Sequence, residues 1–197
     1  MDAITAMTTR RSIRKYTSDP VKPEDLEAIL NCGRLAPTGV NRQAWKFIVA
    51  TDQKVKDAMA DATDYGKFIN QAAVVVAVAI GPEAACPFED AGAATCNMLN
   101  AAHDLGYGTC WLSANGISAD LPAYFMATET GKAVNLPEDW HVMSVFTLGV
   151  PAETPQGLSL QIGNVMVVHG EGAAGDVVHP VDGAQPVSYT HLRAHET

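Results

Sequence analysis

Four residues near the amino terminus have side chains of the kind that bind a phosphate group. Arg10, Arg11, Ser12 and Arg14 place three guanidinium groups and one hydroxyl within five residues, and such groups hold a phosphate dianion through charge-assisted hydrogen bonds. Arg10 and Arg14 lie one helical turn apart, so both can face one ligand if a helix continues through them. Arg11 is then free to form a salt bridge instead. A solvated basic helix end has the same composition, and the residues alone leave both interpretations open.

A second polar segment follows about one helix later, at residues 36–44. It contains Pro37, Thr38, Gly39, Asn41 and Gln43, whose amide and hydroxyl groups suit the polar edge of a planar heterocycle. The same residues are common in ordinary loops, so composition does not distinguish a binding loop from a connection. The position of the segment, between a predicted helix and a predicted strand, favours binding.

The distribution of charge is consistent with an anion near the amino terminus. The 197-residue chain carries a formal net charge of −9, which argues against a nucleic-acid partner. Residues 1–50 nevertheless contain eight Lys and Arg against five Asp and Glu, whereas the remainder contains five against seventeen. An acidic protein that concentrates its arginines at one end is expected to hold an anion there.

The cysteines and the apolar runs indicate a cytoplasmic protein without a membrane partner. Cys32, Cys86, Cys96 and Cys110 show no CxxC pair and no metal-like spacing with histidine, so we predict no metal site and expect reduced cysteines in or near the core. The first fourteen residues are polar and basic. The longest apolar run, residues 72–80, is too short to cross a bilayer.

The pattern of apolar residues predicts helices interleaved with strands. Helices are predicted over residues 1–10, 23–35, 52–62, 88–105 and 118–130, and strands over 45–50, 73–80, the end of 106–114, and 141–148. The continuous β-branched run at 73–80 indicates a central strand covered on both faces. We therefore predict an α+β fold in which a mixed central sheet is flanked by helices.

The remaining glycines, histidines and carboxylates predict no second site. Gly106-x-Gly108 follows a helix and precedes a strand, which is the reverse of the dinucleotide-binding context. The sequence contains no P-loop, G-x-S-x-G or HExxH motif. His103 and His141 are predicted to be helix-face and loop residues, and the long helix is predicted to use Asp90 and Asn97 as capping and interface groups.

Residues 36–47 resemble the flavin-binding pattern of the nitroreductase family, Pro-Ser-x-x-Asn-x-Gln-Pro-Trp-x-Phe. The matching residues are Pro37, Thr38, Gly39, Asn41, Gln43, Trp45 and Phe47, with Ala44 in place of the second proline. Residues 105–114 resemble a second family segment, in which glycine pairs usually stand at the positions of Ser113 and Ala114. Residues 148–153 resemble a third, structural segment. With the arginine cluster, the resemblance covers residues 4 to 153.

The resemblance implies an FMN-dependent oxidoreductase with a nitroreductase-like FMN-binding fold. It implies hydride transfer from NADH or NADPH to a nitroaromatic, a quinone or a similar flat acceptor, with the chemistry at flavin N5 and no catalytic side chain. Family members are homodimers in which loops from both chains complete each interfacial flavin site, and we expect the Ala-rich helix at 88–105 in the dimer core. The implied cofactor-binding residues are Arg10, Arg11, Ser12, Arg14, Pro37, Thr38, Gly39, Asn41, Gln43, Ser113 and Ala114. A flavin-binding carrier or regulatory protein without efficient turnover is the alternative.

The carboxyl-terminal part departs from the family pattern. Residues 1–186 are predicted to form a single domain, whereas residues 187–197 resemble a cloning or sequencing-adaptor scar. Many family members end in a Val-Pro-Lys-Arg segment that closes over the flavin phosphate, and here Val181 and Asp182 stand at the corresponding place. We therefore expect FMN to dissociate readily on dilution.

Overall fold

The computed structural model describes residues 1–63, 65–113 and 136–155 of the chain. The helices are α1 (Ala3–Thr9), α2 (Pro23–Arg34), α3 (Gln53–Asp61) and α4 (Pro87–Asp104), and 3-10 turns lie at Gly39–Asn41 and Lys67–Gln71. The strands are β1 (Trp45–Ala50), β2 (Val74–Ile80), β3 (Gly108–Ser113) and β4 (His141–Gly149). None of the described helices is long and apolar enough to cross a membrane. The predicted helix at 118–130, the Val181–Asp182 position, the boundary at residue 186 and the tail at 187–197 lie outside the described residues.

Local signals in the sequence explain where the helices begin. Pro23 is the first residue of α2, where its missing N–H leaves no donor unpaired, and Glu24 and Asp25 complement the helix dipole. The carboxylate of Asp52 accepts hydrogen bonds from the N–H groups of Lys54 and Val55 at the start of α3. Both predicted helix starts are confirmed.

The four strands form one sheet in the order β1-β2-β4-β3, and each neighbouring pair is antiparallel. At the β3 edge of the sheet, Ser12 forms an isolated parallel bridge with Thr109. All seven residues of β2 are buried, which confirms the predicted central strand. With helices packed on the sheet, the predicted α+β class is confirmed.

Alternate residues of β2 face two different helical layers. On one face, Val76 packs in a cluster with Ile29 of α2 and Met98 of α4. On the other face, Ala77 packs in a cluster with Met59 of α3. The helix α4 therefore lies along one face of the sheet, where its two ends can support different loops.

The expected burial of the cysteines is wrong at two positions. All four cysteines are free, and Cys110 is buried while Cys32 is half-buried, as expected. Cys86 and Cys96 are exposed, because Cys86 precedes the first turn of α4 and Cys96 lies on the outer face of that helix. Spacing alone did not reveal which helix face the sheet covers.

Candidate functional site

The residues 10–16, here called the arginine segment, form an extended chain. Helix α1 ends at Thr9 and Arg10 already has extended backbone angles, so the condition for placing Arg10 and Arg14 on one helical turn, a helix that continues through them, is not met. The N–H of Ile13 donates to the carbonyl of Thr109 at 2.8 Å. Ser12 forms a parallel bridge with Thr109, so the segment runs along the β3 edge of the sheet.

The arginine segment approaches the start of β3 closely because residue 108 is a glycine. A Cβ atom on Gly108 would lie 2.8 Å from side-chain carbons of Ile13, which is closer than packed carbon atoms come. Ile13 is buried against this strand, which holds the segment at the edge of the sheet.

The thiol of Cys110 is influenced by the arginine segment. Burial raises the pKa of the Cys110 thiol, and this rise is opposed by the positive charge of Arg14, by a hydrogen bond with Ser12 and by the charge of Arg10. The charges of Arg10 and Arg14 therefore act on the same buried sulfur. The spacing of Cys110 in the sequence predicts a core residue and does not indicate this neighbourhood.

Arg11 lies apart from these three side chains. Its guanidinium donates hydrogen bonds to the carbonyls of Thr8 at 2.9 Å and Arg10 at 2.8 Å. These carbonyls lie at the end of α1, where the helix leaves acceptors without intrahelical partners. Arg11 therefore closes the helix end, and within the described ranges it does not form the salt bridge considered from the sequence.

Arg10 and Arg14 retain guanidinium groups that can bind an anion. Across residues 1–63, 65–113 and 136–155, the one ion pair joins the amino group of Met1 to Asp104, and the guanidinium groups of Arg10 and Arg14 have no hydrogen-bond partner in these ranges. Guanidinium groups that form no ion pair attract a dianion and can donate charge-assisted hydrogen bonds to it. The arrangement therefore fits a phosphate group.

Glu153 fixes the backbone of the arginine segment, a role that its position in the sequence does not indicate. Its Oε1 atom accepts hydrogen bonds from the N–H groups of Arg14 at 2.6 Å and Lys15 at 3.1 Å. The carbonyl of Lys15 also accepts from the N–H of Ala152 at 2.9 Å. The segment at 148–153, predicted to be structural, thus positions Arg14 through main-chain contacts.

The residues 37–43, here called the amide loop, adopt an unusual backbone. Val40, Asn41 and Gln43 have φ angles of 47°, 56° and 53°, in the left-handed region that non-glycine residues rarely occupy. The Oδ1 atom of Asn41 accepts from Nε2 of Gln43 at 2.8 Å, and Oγ1 of Thr38 accepts from the N–H of Gln43 at 3.2 Å. Three of the predicted site residues therefore form one local network.

The carboxylate of Asp90 also contacts the amide loop. Its Oδ1 atom accepts a hydrogen bond from the N–H of Gly39 at 2.8 Å, so this carboxylate binds the loop instead of a free N–H of its own helix. The predicted capping role of Asp90 is wrong because Oδ1 reaches a partner far along the chain. Asn97, by contrast, donates to the carbonyl of Cys32 at 3.2 Å and joins α4 to α2.

Three predicted residues remain. Pro37 is the first residue of the amide loop and is exposed. Ser113 is the last residue of β3 and pairs with Ser144, and Ala114 lies outside the described residues. Because β3 runs antiparallel to β1 in this sheet, the end of β3 lies toward the sheet end where Ala44 enters β1.

His103 lies beside the arginine segment and not in a site of its own. Its Nε2 atom and Oγ1 of Thr9 share a hydrogen bond of 2.9 Å. Burial lowers the pKa of His103, and the charges of Arg10 and Arg11 lower it further, while Asp104 opposes the change. The predicted helix-face position of His103 is confirmed, whereas His141 is the first residue of β4 and not a loop residue.

The arginine segment and the amide loop lie at opposite ends of α4. The amide loop contacts Asp90 in the first turn, whereas the arginine segment lies near His103 in the last turn. At 1.5 Å per residue, these two positions are about 20 Å apart. The loop also leads into the β1 edge of the sheet, while the segment bridges to the β3 edge. One copy of the chain therefore does not bring the two regions together.

Comparisons with known proteins agree with the resemblance seen in the sequence. The family model described as "Nitroreductase family" matches residues 7–64 and 63–150. A protein of Archaeoglobus fulgidus named "Putative NADH dehydrogenase/NAD(P)H nitroreductase" is 34% identical over 150 residues, covering 74% of this chain and 83% of the relative.

Solved structures extend the similarity to the fold. The crystal structure of "a putative nitroreductase in complex with fmn" from Desulfovibrio desulfuricans is 32% identical, with a TM-score of 0.66, and the match covers 80% of this chain and 93% of that one. An FMN-dependent nitroreductase from Clostridium difficile is 25% identical, with a TM-score of 0.73, over 82% of this chain and 96% of that one. These structures therefore share the fold of this chain.

Proposed function

Because this chain belongs to the nitroreductase family, we propose that it is an FMN-dependent oxidoreductase that passes hydride from NADH or NADPH to a nitroaromatic, a quinone or a similar flat acceptor. The observation that carries the proposal is the pair of guanidinium groups of Arg10 and Arg14 beside Ser12, without a carboxylate partner in the described ranges. Relatives named as NAD(P)H nitroreductases and a similar structure in complex with FMN support the same cofactor.

In this proposal, each region has a separate task toward FMN. Arg10, Ser12 and Arg14 bind the phosphate, because two cations and a hydroxyl match its charge and its acceptor oxygens. The amide loop offers its polar groups to the edge of the isoalloxazine ring. The roles of Arg11, Ser113 and Ala114 as cofactor-binding residues stay predictions. In the structure, the guanidinium of Arg11 donates hydrogen bonds to carbonyls at the end of α1.

The protein's own residues bind and orient, and the cofactor supplies the redox chemistry. When bound, FMN accepts and donates a hydride at N5, a reaction that no protein side chain can perform. The arginine segment is fixed by a main-chain hydrogen bond from Ile13 to Thr109, and the residue that follows it, Thr17, donates one to Val150. A rigid anchor for the phosphate limits where the ring can lie, which orients it for flat substrates.

A homodimer is part of the proposal. One chain holds the arginine segment and the amide loop about 20 Å apart along α4, so a site that uses both draws them from two copies. Along the outer face of α4, Gly92 has open space where a Cβ would lie, and Cys96 one turn later is exposed. Ile4 and Met7 of α1 are exposed as well. Small and apolar exposed residues favour contact with a second copy.

The absorbance spectrum of the purified protein tests the proposal. A flavoprotein of this kind is yellow as isolated or after addition of FMN, and anaerobic NADH or NADPH bleaches its absorbance near 450 nm. Addition of a quinone or a nitroaromatic then restores the band. A yellow protein that neither nucleotide bleaches would instead be a carrier or regulatory protein, and failure to bind FMN at all would reject both functions. A cytoplasmic location is proposed on the sequence grounds above, and cell fractionation tests it.

A further inference from the structure

The amide loop needs support from outside its own sequence. Val40, Asn41 and Gln43 all have left-handed φ angles, and a β-branched residue such as Val40 is a rare occupant of that region. Residues held in sparsely populated conformations cost free energy and persist only when the surrounding structure holds them. A contact from another part of the protein is therefore needed to hold the loop in this conformation.

Asp90 makes that contact from the first turn of α4. Its side chain is 3% exposed, and its Oδ1 atom accepts the hydrogen bond from the N–H of Gly39 at 2.8 Å. Within the described ranges, its Oδ2 atom is buried and has no hydrogen-bond partner. A buried carboxylate oxygen without a partner is unfavourable for folding, so stability alone gives no reason for an aspartate here.

The amide loop also packs tightly against the residues before Asp90. A Cβ atom on Gly39 would lie 3.0 Å from Sγ of Cys86 and 3.1 Å from Cβ of Ala85. The loop therefore packs closely against the residues at the start of α4. The hydrogen bond to Asp90 then fixes the orientation of the peptide at Gly39, one residue before the first left-handed φ.

A role for Asp90 in balancing the helix dipole does not explain its burial. Glu89 is also in the first turn of α4 and is exposed, where a carboxylate interacts with the dipole without being desolvated. An aspartate that serves only the dipole has no need of a buried position facing a loop.

We propose that Asp90 is a positioning residue that holds the amide loop in its left-handed conformation through the N–H of Gly39. The inference rests on the proposed function, in which this loop contacts the isoalloxazine edge of FMN. In this inference, a carboxylate that does not touch the flavin determines the conformation of the loop that binds the flavin ring. Loss of Asp90 therefore affects the ring side of the cofactor and leaves the phosphate side unchanged.

The experiment titrates FMN and riboflavin into the apo forms of the wild type and three variants, with flavin fluorescence as the signal. Asp90→Ala removes the acceptor, and the affinities for FMN and riboflavin both fall by the same factor, about tenfold or more. Asp90→Asn keeps an acceptor oxygen and stays within about threefold of the wild type. The visible band of the bound flavin also changes shape in Asp90→Ala, because its ring environment changes.

Thr95→Val is the matched control on the same helix. Thr95 is fully buried and forms hydrogen bonds with Ala91 and Ser144, away from the amide loop. Loss of the Thr95 hydroxyl group lowers the melting temperature without changing the flavin affinity or the visible absorbance band of the bound flavin. A reduction in FMN binding by Thr95→Val equal to that by Asp90→Ala would mean that both act only through stability, and the inference would be wrong.

Hydrogen exchange of the Gly39 amide tests the inference without a flavin. In the wild-type apo protein this amide exchanges slowly, and in Asp90→Ala it exchanges fast. If Asp90→Ala does not fold, a rapidly exchanging Gly39 amide in the wild type would overturn the inference by itself. Wild type that binds no FMN rejects the proposed function, whereas wild-type affinity in Asp90→Ala rejects the role of Asp90 alone.

Discussion

The arginine segment and the amide loop are both irregular chain, and in each a carboxylate from far along the chain accepts main-chain N–H groups. Glu153 accepts from Arg14 and Lys15 of the arginine segment, and Asp90 accepts from Gly39 of the amide loop. The two regions differ in their other contacts, because Ile13 also pairs with Thr109 of the sheet, whereas the amide loop adds local hydrogen bonds such as that of Thr38 with Gln43. Changes of Arg10 or Arg14 should therefore alter binding, whereas changes within the amide loop or at Asp90 should alter backbone conformation.

The largest expected effect is on the phosphate. We expect Arg10→Ala to weaken FMN binding by about ten- to a hundredfold, because a hydrogen bond between charged groups contributes roughly 1.5–3 kcal/mol. Riboflavin, which lacks the phosphate, should bind as to the wild type. Fluorescence titration of both ligands measures the difference, and the loss should shrink at high salt because part of the attraction is screened.

Arg34→Ala is the control for the loss of one positive charge. Arg34 is exposed on α2, where its guanidinium hydrogen-bonds to Asn31, and FMN affinity should barely change in this variant. Equal losses of FMN and riboflavin in Arg10→Ala would show that Arg10 supports the fold instead, and would remove the contrast between the two regions.

The next effect concerns the anchor of the arginine segment. Glu153→Ala removes an acceptor of two main-chain hydrogen bonds, from Arg14 and Lys15, and should lower the free energy of unfolding by about 1.5 kcal/mol. Urea unfolding of the apo protein measures it. Glu138→Ala, at an exposed position, should change the unfolding midpoint little. If the two variants unfold alike, main-chain pairing with β3 alone anchors the segment.

A smaller effect of opposite sign is expected in the amide loop. Val40→Gly removes the conformational strain of a β-branched residue with a left-handed φ angle. We expect this gain to exceed the cost of the greater chain entropy of glycine in the unfolded state, so the apo protein should be more stable by about 1 kcal/mol. Thermal unfolding measures the change. Val49→Gly, in β1 with ordinary strand geometry, should be destabilising. A loss of stability in Val40→Gly would mean that the loop is not strained at this residue.

The smallest effect is on the titration of His103. Its pKa is lowered in the folded protein, by burial first and then by Arg10 and Arg11, so the folded state binds a proton less readily than the unfolded state. This contribution to stability is present above the ordinary histidine pKa of about 6.5, and it is lost as the pH falls from that value through the lower pKa of the folded state.

Binding of FMN should move that titration. A phosphate dianion near Arg10 offsets the positive charge that His103 experiences, so the pKa of His103 should rise when FMN or inorganic phosphate binds. Arg10→Ala should raise it in the apo protein for the same reason. Nuclear magnetic resonance of the imidazole protons follows both changes. If the pKa of His103 does not change when phosphate is added, the anion does not bind near Arg10.

Much of the fold could be predicted from the sequence because its signals are local. The β-branched run of β2 is apolar along its whole length, and a strand buried on both faces is the structure that such a run favours. Pro23 and Asp52 mark helix starts through groups within three residues of themselves. The concentration of arginines at residues 10–14 likewise identified a cationic region without any knowledge of the fold.

The contacts that complete the site join residues far apart in the sequence. Glu153 and Arg14 are 139 residues apart, and Asp90 and Gly39 are 51 apart, so no local pattern relates them. Helix α1 ends at Thr9 because the next residues pair with β3, a competition that helical spacing does not reveal. The sequence by itself determined which side chains could bind phosphate and a planar ring. Only the tertiary structure decided that they lie at opposite ends of α4, because packing on the sheet, and not distance along the chain, determines where each loop emerges.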